Sequence, residues 1–453
     1  MIISEPSNPW MSGLAYLFTR EFYALAKRRL APGGVMCQWL QLYGIFPSDA
    51  KLMLKTFHDA FPYVSVWSSV PGDLLLIGSM EPHTTSVARL RERMANPAVR
   101  DALAAAKVGR PELLLQLFWM GNREVEQLTQ DIFWLHEDDQ PSVEFSAPRS
   151  LYAAGAFQLN YDGIERFKSA PGVIAPDYDP SLENGEFLRS LAELWAAREE
   201  LDKEQQAYER LVALDPLAAD AWMRLGQVSL RARQPLRAEA ALERAVALRP
   251  QDAEACRLLA RLRWQQGLPD DAQRLYEQAA AAGPPPDTLA AELGDFFASR
   301  KGYRLAAEYY RSSLSQGGGS RPGLILAFGK ALLELGAWHE AEEISGYGVS
   351  AFPSEAAMPF LMGEALLAQQ RWQEALPWFQ EALAVSPKSA DAYYGLGRVA
   401  LGLGGREEAA RQLTRALRAN PYHVEAARLL QELRRSGTID PPDKADATND
   451  QTR

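Results

Sequence analysis

A period of 34 residues constrains this chain more than any other feature. Prolines recur at Pro216, Pro250 and Pro284, and the next step lands on Gly318. A slip of one residue restores the phase at Pro353, Pro387 and Pro421. Small residues keep the same register: Ala192, Gly226, Ala260, Gly294, Gly329, Gly363 and Gly397 in the first half of each unit. A second series follows at Ala238, Ala272, Ala306, Ala341, Ala375 and Ala409, with Glu204 standing at that place in the first unit. Repetition at this spacing means stacked supersecondary units, each too small to bury its own apolar face. Two antiparallel helices approach closely only where small side chains cross. Leu225, Tyr276, Tyr310, Phe379 and Leu396 are expected to fill the space between units. Each Pro stops a second helix and starts the next turn.

These residues resemble the tetratricopeptide repeat (TPR) family over about seven units, 186–421. The resemblance implies an all-α superhelix whose concave face carries first-helix side chains, with a protein or peptide partner in the groove. Asp220, Met223 and Gln227 in the second unit and Asp391, Tyr394 and Arg398 in the last are the groove candidates. Ordinary solvated polar residues would read the same way at each position. The repeated Lys/Asn/Arg set that would clamp a C-terminal carboxylate is not evident. Residues 422–437 read as a closing helix over the last apolar face, and 438–453 as a polar, disordered tail.

The first half has a different pattern. "GLAYLFTREFYALAKRRLAPGG" is amphipathic, with Leu17, Phe18, Phe22, Leu25 and Ala26 on one side. Lys27, Arg28 and Arg29 close it near the negative end of the helix dipole. "VMCQWLQLYG" reads as a strand, "PSDAKLMLKTFHDAF" as a helix, and "YVSVWSSVPGDLLLIGS" as two strands about Pro71-Gly72-Asp73. Preceded by the apolar Ile2-Ile3, this order indicates an α/β sheet. Ligands of such sheets bind beyond the C-terminal ends of the strands, where Glu5 to Asn8 and Gln38 to Gln41 fall.

The loop Glu5-Pro6-Ser7-Asn8-Pro9, the helix residues Leu17, Phe18, Glu21, Phe22 and Tyr23, and the turn Pro32-Gly33-Gly34 resemble the spermidine synthase (aminopropyltransferase) family over roughly residues 1–80. Asp138, Asp139, Pro141, Glu144, Phe145, Pro148 and Arg149 resemble a segment of its large bacterial relatives, which carry membrane helices or repeats. The resemblance implies a partial Rossmann, methyltransferase-like domain over 1–149 and polyamine chemistry. Glu5 stands where the family has the carboxylate that takes a proton from the attacking amine. Ser7, Asn8, Trp10 and Gln38 are the implied substrate contacts. Asn8 replaces an acid, and losing that charge-assisted contact would weaken diamine binding by roughly 1.5–3 kcal/mol. The family's Gly-rich nucleoside loop belongs to strands upstream of this sequence. The chain is therefore expected to be truncated, split from a partner or started at an internal codon, and inactive alone. It would bind no cofactor by itself, with decarboxylated S-adenosylmethionine as co-substrate of a restored domain.

Residues 82–130 read as helical packing against the sheet, and 150–185, rich in Pro, Gly and Asp, as a linker. Asp138 and Asp139 lack further ligands at metal spacing. A net charge of -10 argues against nonspecific nucleic-acid binding. Two distant cysteines, Cys37 and Cys256, argue against a disulfide framework and for a reducing compartment. With no apolar run long enough to span a bilayer, the expectation is a cytoplasmic protein without membrane contact, although relatives carry membrane helices upstream. Two functions follow. One is an aminopropyltransferase fragment fused to an interaction module. The other is a non-catalytic TPR scaffold carrying a vestigial half sheet.

Overall fold

The computed structural model describes residues 1–6, 9, 11, 13–150, 155–283 and 285–435. The chain divides into two compact units, Met1–Leu262 and Arg263–Arg453.

The first unit opens with β1 (Ile2–Ser4), α1 (Arg20–Arg29), β2 (Val35–Gln41), α2 (Pro47–Ala60), β3 (Tyr63–Val70) and β4 (Asp73–Ser79). Next come α3 (Val87–Met94), α4 (Pro97–Ala105), α5 (Pro111–Leu115), β5 (Phe118–Met120), α6 (Asn122–Leu128), α7 (Ser142–Ser150) and α8 (Ala156–Glu165). The sheet order is β1-β2-β4-β3-β5. β1 and β2 are parallel, and the other neighbours run antiparallel. The expected α/β part is thus a small mixed sheet with one parallel pair among the described residues.

The strand period of two sorts its side chains. Met36, Leu40, Val64, Val66, Leu74 and Leu76 are buried in a core with Tyr23, Phe57 and Phe61 from α1 and α2. Gly78 makes this possible, since a Cβ there would lie 2.7 Å from the Phe61 ring. The opposite face keeps Val35, Cys37, Trp39, Leu75 and Ile77 half-exposed.

Three expectations are corrected here. α1 begins at Arg20, capped by the Thr19 hydroxyl accepting the Phe22 N–H at 3.3 Å. Its inward positions are therefore Phe22, Tyr23 and Ala26, while Leu25 turns outward, 48% exposed. "PELLLQLFWM" is not one helix: α5 ends at Leu115 and β5 adds Phe118–Met120 beside β3. The 150–185 segment contains α8, and Ile164, Ile174 and Ala175 are buried. Asn160 donates to the carbonyls of Leu42 and Ile45, both at 2.8 Å, which ties α8 to the loop after β2.

Helix pairs complete the first unit: α9 (Gly185–Ala197) with α10 (Leu201–Leu214), α11 (Ala219–Arg231) with α12 (Pro235–Leu248), and most of α13 (Ala253–Gln265). The second unit continues with α14 (Pro269–Ala281), α15 (Asp287–Ser299), α16 (Tyr303–Ser315), α17 (Pro322–Leu335) and α18 (Trp338–Ala351). It closes with α19 (Ala357–Ala368), α20 (Trp372–Val385), α21 (Ala390–Gly402), α22 (Arg406–Ala419) and α23 (Val424–Arg435). α23 lays Ala426, Leu430 and Leu433 on α22. The expected tail, 438–453, lies outside the described residues. The extra residue that shifts the period falls at Gly317, in the left-handed region, and the turn Gly318–Ser320.

Every second-helix alanine of the periodic series is fully buried. A Cβ at Gly226, Gly294, Gly329, Gly363 or Gly397 would come closer than 3.0 Å to Leu242, Tyr310, Leu361, Phe379 or Leu413, respectively. A second periodic device was not anticipated. The residue between paired helices is left-handed each time: Glu199, Arg233, Gly267, Lys301, Gly336, Gln370 and Gly404. The following N–H reaches back to the carbonyl of the residue five earlier, as in Gln234 to Ser229 at 2.9 Å and Gly405 to Ala400 at 2.8 Å. This is the Schellman closure of a helix end. Only three of the seven positions are glycine, so the others accept backbone strain of about 1 kcal/mol each.

Gly294→Ala tests the close approach. Helix propensity favours the change by about 1 kcal/mol, but overpacking against the buried Tyr310 ring costs about 1–3 kcal/mol. Urea titration should therefore show net destabilisation. Gly323→Ala, with nothing within 4 Å, should be neutral or stabilising.

Acid should weaken the first unit. Burial pushes His58, His83 and His136 below the ordinary imidazole value. Stability from keeping them neutral is present above about pH 6.5 and is lost as pH falls through their lower folded values. Asp49, raised by burial, acts oppositely. Calorimetry from about pH 7.5 down to about pH 5 should show a falling Tm, with a shallower slope in His136→Gln. A flat profile refutes the reading.

Candidate functional site

Two places follow from the sequence: the strand ends around Glu5 and the first-helix face of the repeats. Glu5 is exposed just beyond β1. Its charge adds to burial in raising both the Cys37 thiol and the Asp73 carboxyl. Glu5 therefore belongs to the open face of the sheet. Gln38 pairs with Ser4 and points the other way, fully buried, its amide donating to the Trp39 carbonyl at 3.1 Å. Strand alternation thus separates Gln38 from Glu5, and Gln38 is not available as an amine contact. Ser7, Asn8 and Trp10 lie outside the described residues. The Asp138 segment packs against α1 and the turn before it. The Asp138 N–H donates to Glu21 at 3.0 Å, Arg20 pairs with Glu137 at 2.9 Å, and buried His136 hydrogen-bonds the Ala15 carbonyl at 3.1 Å. No metal-binding cluster is present among the described residues. Both cysteines are free thiols, and burial raises Cys256 to about 11.

In the first unit the helix pairs form a groove of about 560 Å³. Gln227 lines it. Arg224 donates to the Gln227 side-chain oxygen at 3.0 Å, and Gln227 donates onward to Glu254 at 3.2 Å. Arg257 grips the same carboxylate through two hydrogen bonds of 2.8 Å. That fork is the main reason the Glu254 carboxyl is held low. Arg231 pairs with Glu204, the residue that breaks the alanine series. Tyr208, largely buried, contributes aromatic surface, and Arg261 also lines the groove. Asp220 sits outside the groove lining and takes an ion pair from Arg189 at 3.2 Å; Met223 is half-buried and outside it too. Glu254, Arg257 and Arg261 were missed, although the signal was at hand: they stand one period beyond Asp220, Met223 and Gln227.

In the second unit the three expected residues of the last repeat do come together. The Arg398 Nη1 donates to both Glu364 carboxylate oxygens at 2.9 and 2.8 Å, and the guanidinium lies over the Tyr394 ring at 5.5 Å. The Tyr394 ring packs against His423 at a tilt of 46°, with centroids 4.9 Å apart, and the His423 Nε2 is 3.2 Å from Asp391. The repeats thus line their first-helix face with alternating acids and arginines that bridge successive repeats.

Models of the tetratricopeptide repeat match residues 229–293 and 354–421. Among solved structures, PilF of Pseudomonas aeruginosa is similar, at 20% identity over 48% of this chain and 97% of that chain, with a TM-score of 0.37. The C-terminal part of a TPR repeat-containing protein from Cytophaga hutchinsonii is similar at 13% identity, 53% and 98% coverage, and a TM-score of 0.42. YrrB, described as a TPR protein with an unusual peptide-binding site, is similar at 19% identity, 50% and 99% coverage, and a TM-score of 0.30. No curated protein matches the chain. No described helix is long and apolar enough to cross a membrane.

Proposed function

We propose that this chain, which carries tetratricopeptide repeats, acts as a protein-interaction module whose first-helix groove takes an extended segment of a protein partner. The observation that carries this reading is the Arg224–Gln227–Glu254–Arg257 network beside Tyr208, which spans two successive repeats. A polar ladder on rigid helices presents donors at fixed intervals, and an extended peptide has the matching repeat of carbonyls and side chains. Arginines outnumber acids in the lining, which favours partners with acidic residues. Arg224 and Arg261 are the residues to reverse. Fluorescent acidic, neutral and basic peptide arrays probed with the full chain should retain the acidic set. Arg224→Glu with Arg261→Glu should lower that affinity about tenfold or more, or about 1.4 kcal/mol. Equal retention by wild type and variant, or no retained peptide, refutes it.

A second reading, aminopropyl transfer to an amine, is supported by one observation. The charge of exposed Glu5 adds to burial in raising the half-buried Asp73, and two carboxylates on one face of the sheet suit a diammonium ligand. The reading covers the amine side of the chemistry, with decarboxylated S-adenosylmethionine as the donor. Putrescine and spermidine titrated calorimetrically into the chain should bind, and Glu5→Gln should weaken them about 10- to 100-fold. Absence of binding heat for both amines removes this reading.

A further inference from the structure

The open face of the sheet is the floor of a cleft of about 820 Å³ that neither function uses. That size lies within the range of small-molecule sites, about 300–1,000 Å³. Val35, Trp67, Leu75 and Ile77 form the floor, from three adjacent strands whose opposite faces hold the core. The walls come from α3, α4 and α5 through Leu90, Leu103 and Leu114, and from Ile174 in the segment after α8.

On the floor of the cleft Trp67, Ser65 and His83 belong to one hydrogen-bonded chain that ends at Ser79 and Glu81. Ser79 donates to the Glu81 carbonyl at 2.5 Å and so accepts from the His83 Nδ1–H at 2.7 Å. The other ring nitrogen, Nε2, is then an acceptor, and the Ser65 hydroxyl donates to it at 3.0 Å. Ser65 in turn accepts the Trp67 indole N–H at 3.0 Å. The chain runs in one direction and fixes the neutral tautomer, in accord with the lowering of His83 by burial. A ligand on this floor meets apolar surface and saturated hydrogen bonds. It need not supply hydrogen bonds of its own there.

Charge supplies the rest of the selectivity. Arg89 and Arg93 line the cleft one helical turn apart, and Arg198 lines it from the C-terminal end of α9. No Asp or Glu is among its described lining residues. Arg91, between the first two, turns away to pair with Glu112 at 2.8 Å. Arg89 and Arg93 have no ion-pair partner among the described residues, whereas Arg198 is held by the Ser68 carbonyl at 2.9 Å and the Ser69 carbonyl and is partly neutralised by Glu200 at 3.8 Å. A low-dielectric wall focuses the field of such cations.

We propose that this cleft binds a soluble amphipathic anion: an apolar chain or ring body over Val35, Trp67, Leu75 and Ile77, with one carboxylate toward Arg89 and Arg93. The experiment is calorimetric titration of the full chain with dodecanoate, dodecanol and dodecylammonium below their aggregation thresholds. Dodecanoate should bind, dodecylammonium should not, and dodecanol should fall between. Arg89→Glu with Arg93→Glu, both exposed, should weaken dodecanoate at least tenfold. Ala106→Trp, which fills the cleft from its exposed rim, should abolish binding without lowering Tm. Equal binding of the anion and the ammonium would make the cleft an unselective apolar surface and overturn the proposal. So would silence with all three ligands, or capture by anionic vesicles without a response to monomeric dodecanoate.

Discussion

The structure of the repeats depends on one constraint: paired helices touch backbone to side chain where glycine or alanine recurs. At Gly294 the ring of Tyr310 occupies the space that any Cβ would claim, and the Tyr310 hydroxyl is anchored to Asp295 at 2.7 Å. This close approach lets the large side chain of one helix fill the gap without a cavity, and interiors tolerate few gaps. The left-handed turn residue is its geometric companion. Once the first helix ends with Schellman bonds, the second leaves in the reverse direction and meets it at the small residues. Arg233 and Lys301 adopt that conformation although they are not glycine, so the surrounding bonds outweigh the local strain.

The sheet part is joined to the first helix pair by charge as well as apolar contact. Arg198 at the end of α9 reaches the carbonyls of Ser68 and Ser69, where the β3–β4 register slips. Lys203 lies 2.8 Å from Glu165 and 2.5 Å from Glu200, amid the rings of Trp119, Tyr161 and Trp195. Burial and the neighbouring Lys203 bring Lys168 down to about 8. Ion pairs this far from water add little net stability, because desolvation offsets the attraction, but breaking one partner is costly. Their consequence is orientation: the first helix pair has one seat on the sheet.

Much of this was legible in advance, and the gaps have physical causes. Helix α2, strands β2 to β4 and the repeat register were readable because their periodicity is long or their turns carry Pro and Gly. Short elements were not. In "PELLLQLFWM" apolar residues fill both a helical and an extended pattern, and only pairing with β3 decides the last three residues. The segment 150–185 looks like a linker by composition, yet Asn160 finds two carbonyls that exist only once β2 and its loop are folded. Groove residues were half legible: the positions follow the period, but whether an arginine there is paired depends on its neighbour in the next repeat.

By itself the sequence determined the repeat, the places where helices must come close, and the order of strands and helices as far as β4. These are local or periodic properties, written in residue size and spacing. Tertiary structure alone decided which face of the sheet is covered and which is open. Gln38 and Glu5 show the difference. Both read as strand-end residues, but pairing in register sends Gln38 into the core and leaves Glu5 on the open face. The cleft, its hydrogen-bonded floor from Trp67 to Glu81, and the arginines around it come from segments far apart in the chain. No local pattern brings them together; packing does.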